Sequence, residues 1–189
     1  MSLTFITFEG IDGCGKTTLA SIVYENLDGN AYMTHEPRYT REMTFKDPLA
    51  IAFAFIADRA EHVNELKEAM QSHRYVLCDR YCDSTYAYQG VQISARFGIT
   101  TEEAISFLQG AHRMLLKPDL TFLVDLSPDE ARNRKDEGFD HVFMQGVRDA
   151  YLFLAKKEKR FVVLDGRKSP GSLAEEVLSR VIQFSPSGF

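Results

Sequence analysis

The run Gly10-Ile-Asp-Gly-Cys-Gly-Lys16-Thr17 constrains this chain more than any other feature. It matches the pattern G-x-x-x-x-G-K-[ST] in full. Glycines let the backbone curl so that several N–H groups point inward at phosphate oxygens. The pattern works only between a strand and the start of a helix, whose N-terminus adds a favourable dipole. Both neighbours are expected here: Leu3 to Phe8 reads as a strand, and Thr17 to Leu27 as a helix with Leu19, Ile22, Val23 and Leu27 on one face. In such a loop Lys16 neutralises the β and γ phosphates and Thr17 offers its hydroxyl to magnesium. Gly10, Ile11, Asp12, Gly13, Cys14, Gly15, Lys16, Thr17 and Thr18 are therefore the expected nucleoside-triphosphate-binding residues. Cys14 lies near Lys16, which can depress a thiol pKa, but a small residue filling space is the preferred reading.

The rest of the chain alternates strand and helix. Strands are expected at Ala31 to Thr34, Tyr75 to Cys78 (ending at Asp79), Leu120 to Leu126 and Phe161 to Leu164. Helices are expected at Pro48 to Ser72, Ser127 to Lys135, His141 to Lys157 and Gly171 to Phe184. Another runs from Thr100 to Leu116, with Thr100 as cap and Glu103 three residues on. Short, continuously apolar strands separated by helices imply an α/β fold, a three-layer sandwich with a five-stranded parallel sheet and helices on both faces. The 189 residues suit one domain.

Composition excludes several classes. With 44% hydrophobic and 26% charged residues, the chain is an ordinary globular one that needs no disulfide or structural metal to fold. A formal net charge of −5 argues against a broad nucleic-acid surface. The apolar run Leu49 to Ala57 is too short to span a bilayer, and no secretion signal is expected. Cys14, Cys78 and Cys82 fit neither a redox pair nor a zinc spacing. Reduced thiols in a cytoplasmic protein are expected instead. The histidines His35, His62, His73, His112 and His141 form no metal-ligand spacing and read as structural or surface groups. A guanine-reading string is lacking; Asn133-Arg-Lys-Asp136 has its lysine misplaced and lies on a helix.

Three further strings resemble the thymidylate kinases. Phe8-Glu-Gly-Ile-Asp-Gly-Cys-Gly-Lys-Thr-Thr18 is similar to their opening, Phe55-Ile-Ala-Asp-Arg59 to their acceptor-base segment, and Asp79-Arg80-Tyr-Cys-Asp-Ser84-Thr85-Tyr-Ala-Tyr88-Gln89-Gly90 to their central signature. Glu36-Pro37 and Lys117-Pro-Asp-Leu-Thr121 also fit. The resemblance covers nearly the whole chain in order. It implies ATP-dependent conversion of dTMP to dTDP with magnesium, ATP being the triphosphate bound by the loop, and a homodimer whose contact includes the apolar stretch Ala50 to Ile56.

Roles follow for single residues. Arg80, at a strand end beside the phosphate loop, can clamp the acceptor phosphate bidentately. Asp79 occupies the acidic strand end that usually serves magnesium with Thr17. Phe55 and Arg59, four apart, share a helix face; the resemblance implies that Phe55 stacks on thymine and Arg59 hydrogen-bonds its carbonyl. Ser84 and Thr85 are placed at the base edge, Gln89 beside them, and Tyr88 against the sugar, where it crowds a ribose 2′-hydroxyl. By the same resemblance Asp12 approaches the acceptor phosphate and magnesium, and the Glu36–Pro37 peptide bond is cis. No strong base is needed, because the acceptor is already anionic.

A basic lid is expected near 132–143, with Arg132 and Arg134 as candidates for stabilising the transferring phosphate. Two apart, they cannot both face it from one regular helix. Two departures touch the acceptor side. The lid reads Asp140-His-Val-Phe143 where relatives continue Asp-Arg-x-x-Glu, and the segment after Glu36-Pro37 is short. Arg38 or Arg41 is the candidate phosphate-binding arginine there. The alternatives are another nucleoside monophosphate kinase, a deoxynucleoside kinase with Glu36 as base, and a non-catalytic nucleotide-binding switch.

Overall fold

The central strand decides the architecture. β1 (Thr4–Glu9) is buried at every position, so both of its faces must be covered, as in a parallel sheet between helical layers. The computed structural model describes residues 4–27, 29–40, 44–134, 138 and 140–184. Among them five parallel strands form one sheet in the order β2 (Ala31–His35), β3 (Tyr75–Asp79), β1, β4 (Leu120–Asp125), β5 (Phe161–Asp165). β1 pairs with β3 from Thr4↔Tyr75 to Phe8↔Asp79 and with β4 from Ile6↔Leu120 to Glu9↔Leu123. This brings Glu9, Asp79, His35 and Asp125 to the same edge of the sheet. Ligands in open α/β sheets bind at that carboxyl edge, where strand order switches.

Seven helices are described around the sheet: α1 (Lys16–Glu25), α2 (Pro48–Ser72), α3 (Cys82–Phe97), α4 (Thr101–Ala111), α5 (Pro128–Arg134), α6 (His141–Lys157) and α7 (Pro170–Gln183). Their ends follow local chemistry. Asp47 caps α2, whose first residue is Pro48. Thr100 and Glu103 form the expected capping box at α4. The expected elements are found within a few residues of their bounds, except that α4 stops at Ala111.

One helix, α3, was not expected. Its sequence shows no polar stripe because Cys82, Asp83, residues 85–90 and Ile93 are all buried. It packs against α2, α4 and α6, so nearly every side faces protein. Amphipathic periodicity disappears for a helix enclosed in this way.

A buried ion pair ties α3 to the sheet. Asp83 is fully buried, and Arg160, just before β5, meets both its oxygens at 2.7 Å. Arg160 also donates to Glu158 at 2.7 Å and to the Thr121 hydroxyl. Burial and Glu158 raise the Asp83 pKa, while Arg160 works against that rise. Arg160→Ala should therefore destabilise the fold by about 3–5 kcal/mol, the cost of leaving one partner of a buried pair uncompensated. Urea unfolding checks this: the midpoint should fall with little change in slope. A loss below about 1 kcal/mol, as for an exposed pair, would show that Asp83 does not depend on Arg160.

Candidate active site

Two of the cavities at the carboxyl edge meet at two shared residues, Asp12 and Arg80. The larger, about 790 Å³, is lined by residues 12–19 together with Arg134, Gly166, Lys168, Pro170 and Leu173. The smaller, about 260 Å³, is lined by Glu36, Pro37, Phe55, Asp58, Arg59, Tyr81, Ser84, Thr85, Tyr88 and Gln89 as well as the shared pair. A triphosphate-sized space and a nucleoside-sized space thus meet at one carboxylate–guanidinium pair.

The larger cavity is built by the phosphate loop. Gly13 has φ +81°, and a Cβ there would strike the backbone oxygen of Ala131 in α5. Lys16 opens α1 and is buried, rather than on the solvent side as its role would suggest. Its Nζ lies 3.6 Å from Asp12 Oδ1 and 3.4 Å from the Ile11 carbonyl. Burial raises the Cys14 thiol pKa despite Lys16 nearby, and the side chain is 1% exposed. Cys14 is thus a space-filling residue, as preferred from sequence. All three cysteines are free and buried.

Thr17 and Asp79 come together as expected. The Thr17 hydroxyl donates to Asp79 Oδ2 at 2.5 Å. Asp79 Oδ1 is buried with no hydrogen-bond partner among the described residues. A buried carboxylate oxygen left open beside a hydroxyl is a fitting donor set for a hard divalent cation.

Arg80 sits in the left-handed region, φ 66°. Its guanidinium donates to Asp12 Oδ1 and, at 3.0 Å, to the Ser84 hydroxyl. Burial opposes charge on Asp12, but Arg80 and Lys16 outweigh it and hold the carboxyl below its usual range. Tyr88 accepts from the Asp12 amide at 3.0 Å and donates to Asp12 Oδ2 at 2.8 Å. Its ring walls the smaller cavity, while its hydroxyl holds the phosphate loop.

The smaller cavity has a flat, half-buried ring on one side, Phe55. One turn on, Arg59 is only 2% exposed. Surface pairing with Asp58 or Glu61 is not its state. Arg59 donates to Glu36 at 2.8 Å, to His112 Nε2 at 2.5 Å and to the Thr85 hydroxyl at 3.2 Å. His62 meets the other Glu36 oxygen at 3.0 Å. The Glu36–Pro37 peptide is cis, as the resemblance implied. Gln89 closes the rim from α3. Ser84, Thr85, Tyr88 and Gln89 are spaced so that one face of α3 presents them all.

Some expected residues stay outside this geometry. Arg38 turns its guanidinium to Glu65 at 3.0 Å and is not among the residues lining the cavity. Arg41 lies outside the described residues, as do residues 135–137 and 139 of the expected lid. Of the two lid arginines, Arg134 lines the larger cavity and donates to the Gly166 carbonyl at 3.0 Å. Arg132 lies on the exposed side of α5 and is not among the lining residues.

Two residues with no assigned role shape the pocket. Asp58 accepts from the amides of Arg38, Tyr39 and Thr40 at 2.9, 2.7 and 2.6 Å, which pins the segment after Pro37. Burial would raise its pKa, but these hydrogen bonds lower it. His112 Nδ1 faces the Leu108 carbonyl at 2.8 Å, so that nitrogen carries the proton and Nε2 accepts from Arg59. Burial first, and Arg59 second, push the His112 pKa down to about 4. Neither role is legible from sequence alone: the first depends on how α2 lies against the segment after Pro37, the second on how α2 adjoins the end of α4.

The His112 shift has a measurable consequence. A depressed histidine pKa contributes stability above the unfolded value near 6.5 that is lost as pH falls toward 4. Relative to His112→Gln, the wild type should lose roughly 3 kcal/mol of its advantage between pH 7 and pH 4. Paired denaturant titrations at the two pH values read this directly. A stability difference independent of pH would mean that His112 is not held neutral.

The geometry can now be set beside known proteins. A family model described as thymidylate kinase matches residues 8–177. A probable thymidylate kinase from Methanosarcina barkeri is 36% identical over 95% of this chain and 96% of its own. The thymidylate kinase of Exiguobacterium sibiricum is 34% identical, covering 97% and 96%. Among solved structures, the thymidylate kinase of Ehrlichia chaffeensis superposes with a TM-score of 0.75 at 28% identity, covering 97% of this chain and all of that one.

Proposed function

The chain belongs to the thymidylate kinase family, and we propose that its two cavities hold ATP and dTMP and that the γ-phosphate passes between them at Asp12 and Arg80. The protein is a kinase that phosphorylates dTMP to dTDP. The observation that carries the reading is the shared Asp12–Arg80 pair, where a triphosphate-sized and a nucleoside-sized cavity touch.

The chemistry needs little covalent help. An oxygen of the dTMP phosphate attacks the γ-phosphorus of ATP; the bond from that phosphorus to the β–γ bridging oxygen breaks, and its electron pair leaves with ADP. The acceptor oxygen is already anionic, so catalysis rests on positioning and charge stabilisation. Lys16 and the loop amides hold the triphosphate, and Arg80 holds the acceptor phosphate. Arg134, at the loop cavity, is the better placed lid arginine to meet the transferring group. Magnesium, when bound, neutralises charge on the phosphate oxygens; Thr17 and Asp79 would hold it, and the open Asp79 Oδ1 supports that choice. Phe55 is the stacking surface for thymine, and Arg59 with Thr85 marks its polar edge.

The deoxynucleoside kinase reading needs Glu36 as a free base. Both its oxygens are engaged, one by Arg59 and one by His62, so that reading is not favoured. The proposal includes a single domain with a lid near 132–143 and a homodimer. The exposed, edge-to-face pair of Phe53 on α2 and Phe107 on α4 supports such a contact. A cytoplasmic location is supported by the three free thiols; no helix among the described residues is long and apolar enough to cross a membrane.

Initial rates with ATP and magnesium against dTMP, UMP, CMP and thymidine test the acceptor. dTMP should give the largest kcat/KM, and preferential turnover of thymidine would overturn the reading. Lys16→Ala should lower kcat by roughly 10²–10³-fold, the range for removing one preorganised charge stabiliser, with circular dichroism unchanged. Near-normal turnover in a folded variant would reject the loop's role.

A further inference from the structure

Arg80 is held in an unfavourable backbone conformation at the junction of the two cavities, and the holder is a buried acid with no assigned role. A non-glycine residue in the left-handed region is strained and persists only where neighbours over-determine it. Here the two amides that bracket the Arg80 α-carbon are pinned by consecutive residues of β1. The Arg80 N–H donates to the Phe8 carbonyl at 3.0 Å, and the Tyr81 N–H donates to Glu9 Oε1 at 2.7 Å. Glu9 is fully buried at the end of β1. Tyr81 is the N-cap of α3 and has no side-chain cap of its own, so the Glu9 carboxylate also serves an N-terminal amide that the helix leaves over.

The second Glu9 oxygen reaches the guanidinium through one hydroxyl. Oε2 accepts from Ser84 Oγ at 2.6 Å and from the Tyr151 hydroxyl at 3.0 Å. A serine hydroxyl has one proton and two lone pairs. Given to Glu9, that proton leaves the lone pairs to accept from Arg80 Nη1 at 3.0 Å. Tyr151 Oη, 2.9 Å from Ser84 Oγ, is likewise kept from donating there while its proton goes to Glu9. An acceptor-only carboxylate thus sets the direction of both hydroxyls.

We propose that Glu9 is a positioning residue for Arg80, fixing its backbone through the Tyr81 amide and its guanidinium through the Ser84 hydroxyl. The inference rests on the assignment of the smaller cavity to the acceptor phosphate. The ionised form does this work. Burial, then the Asp83 carboxylate, push the Glu9 pKa up to about 7, against Ser84, Arg80 and the Tyr81 amide. The groups facing it are Arg80, Asp83 and Cys82 toward α3, Cys78 on β3 and Tyr151 on α6, with Asp83 itself held by Arg160. A protonated Glu9 donates to one of its two hydroxyls, and Ser84 is then no longer free to accept from Arg80.

The test is Glu9→Gln, assayed with both substrates varied across pH 6 to 9. The KM for dTMP should rise about tenfold, the worth of one hydrogen bond to a charged group, with the KM for ATP nearly unchanged. The wild-type to Glu9→Gln ratio of kcat/KM for dTMP should be largest above pH 8 and shrink below pH 6. The acceptor phosphate's own ionisation near pH 6 divides out of that ratio. Equal rises in both KM values, or a ratio flat with pH, would overturn the proposal. Should Glu9→Gln not fold, Ser84→Ala, which keeps the Tyr81 contact, must raise the dTMP KM without changing the ATP KM; unchanged acceptor KM there overturns it equally. Wild-type turnover of dTMP is read in the same assay, so failure of the substrate assignment is seen separately from failure of Glu9.

Discussion

The contact between Asp12 and Arg80 is where the separate parts of this fold become one site. Asp12 belongs to the loop after β1 and Arg80 to the turn after β3, neighbouring strands in the sheet. Parallel strands end at the same edge, so pairing β1 with β3 brings the phosphate loop and the arginine together without any long connection. The pair is about three-quarters buried on each side or more, so the attraction between its charges is little screened. Tyr88 adds a third member from α3 by holding both the amide and the carboxylate of Asp12. Moving any one of the three moves the boundary between the two cavities.

The acceptor side follows a different principle: its polar groups are spent on one another before a ligand arrives. Glu36, Arg59, His62, His112, Thr34 and Thr85 form a network drawn from β2, α2, α3 and α4. Burying so many polar groups is costly unless every member is satisfied. The return is rigidity in the wall of the smaller cavity. Arg59 has five donors and cannot lose its proton, so it can serve Glu36, His112 and Thr85 and still show a polar edge to the cavity. His112 takes part only as the neutral ring, because burial first and Arg59 second hold its pKa low. A site assembled this way holds its polar groups in fixed orientations through their mutual hydrogen bonds.

Much of this was legible in the sequence because it depends on contiguous residues. The phosphate loop, the cap at Thr100, the aspartates at the strand ends and the Phe55–Arg59 spacing are local patterns, and each is found as expected. What was hidden depends on packing. The helix α3 carries four of the cavity residues yet shows no amphipathic stripe, because α2, α4 and α6 enclose it. His112 reads as an isolated histidine until α4 is set beside α2. Arg38 was one of two candidate phosphate ligands after Pro37, with Arg41; its guanidinium turns to Glu65, twenty-seven residues on in α2, a partner that local sequence does not reveal. Spacing indicated that Arg132 and Arg134 cannot both face the loop from one regular helix; Arg134 is the one that lines the larger cavity, where α5 lies against Gly13.

An acidic chain that binds two polyanions needs its positive charge to be local. With a net charge of −5, long-range attraction does not favour phosphate, and in salt it is screened within about 8–10 Å. The loop cavity gathers Lys16, Arg80, Arg134 and Lys168, against Asp12 as its acidic lining residue. Two of these cations, Lys16 and Arg80, lean on that aspartate, so the cavity lining is not a bare cluster of like charges. Asp12 keeps them apart and in place, and its low pKa keeps it ionised while it does so. Incoming phosphates compete for cations that are already oriented. The cost of gathering positive charge is met within the fold by one carboxylate rather than by the ligand, which leaves more of the ligand's binding energy for the reacting geometry.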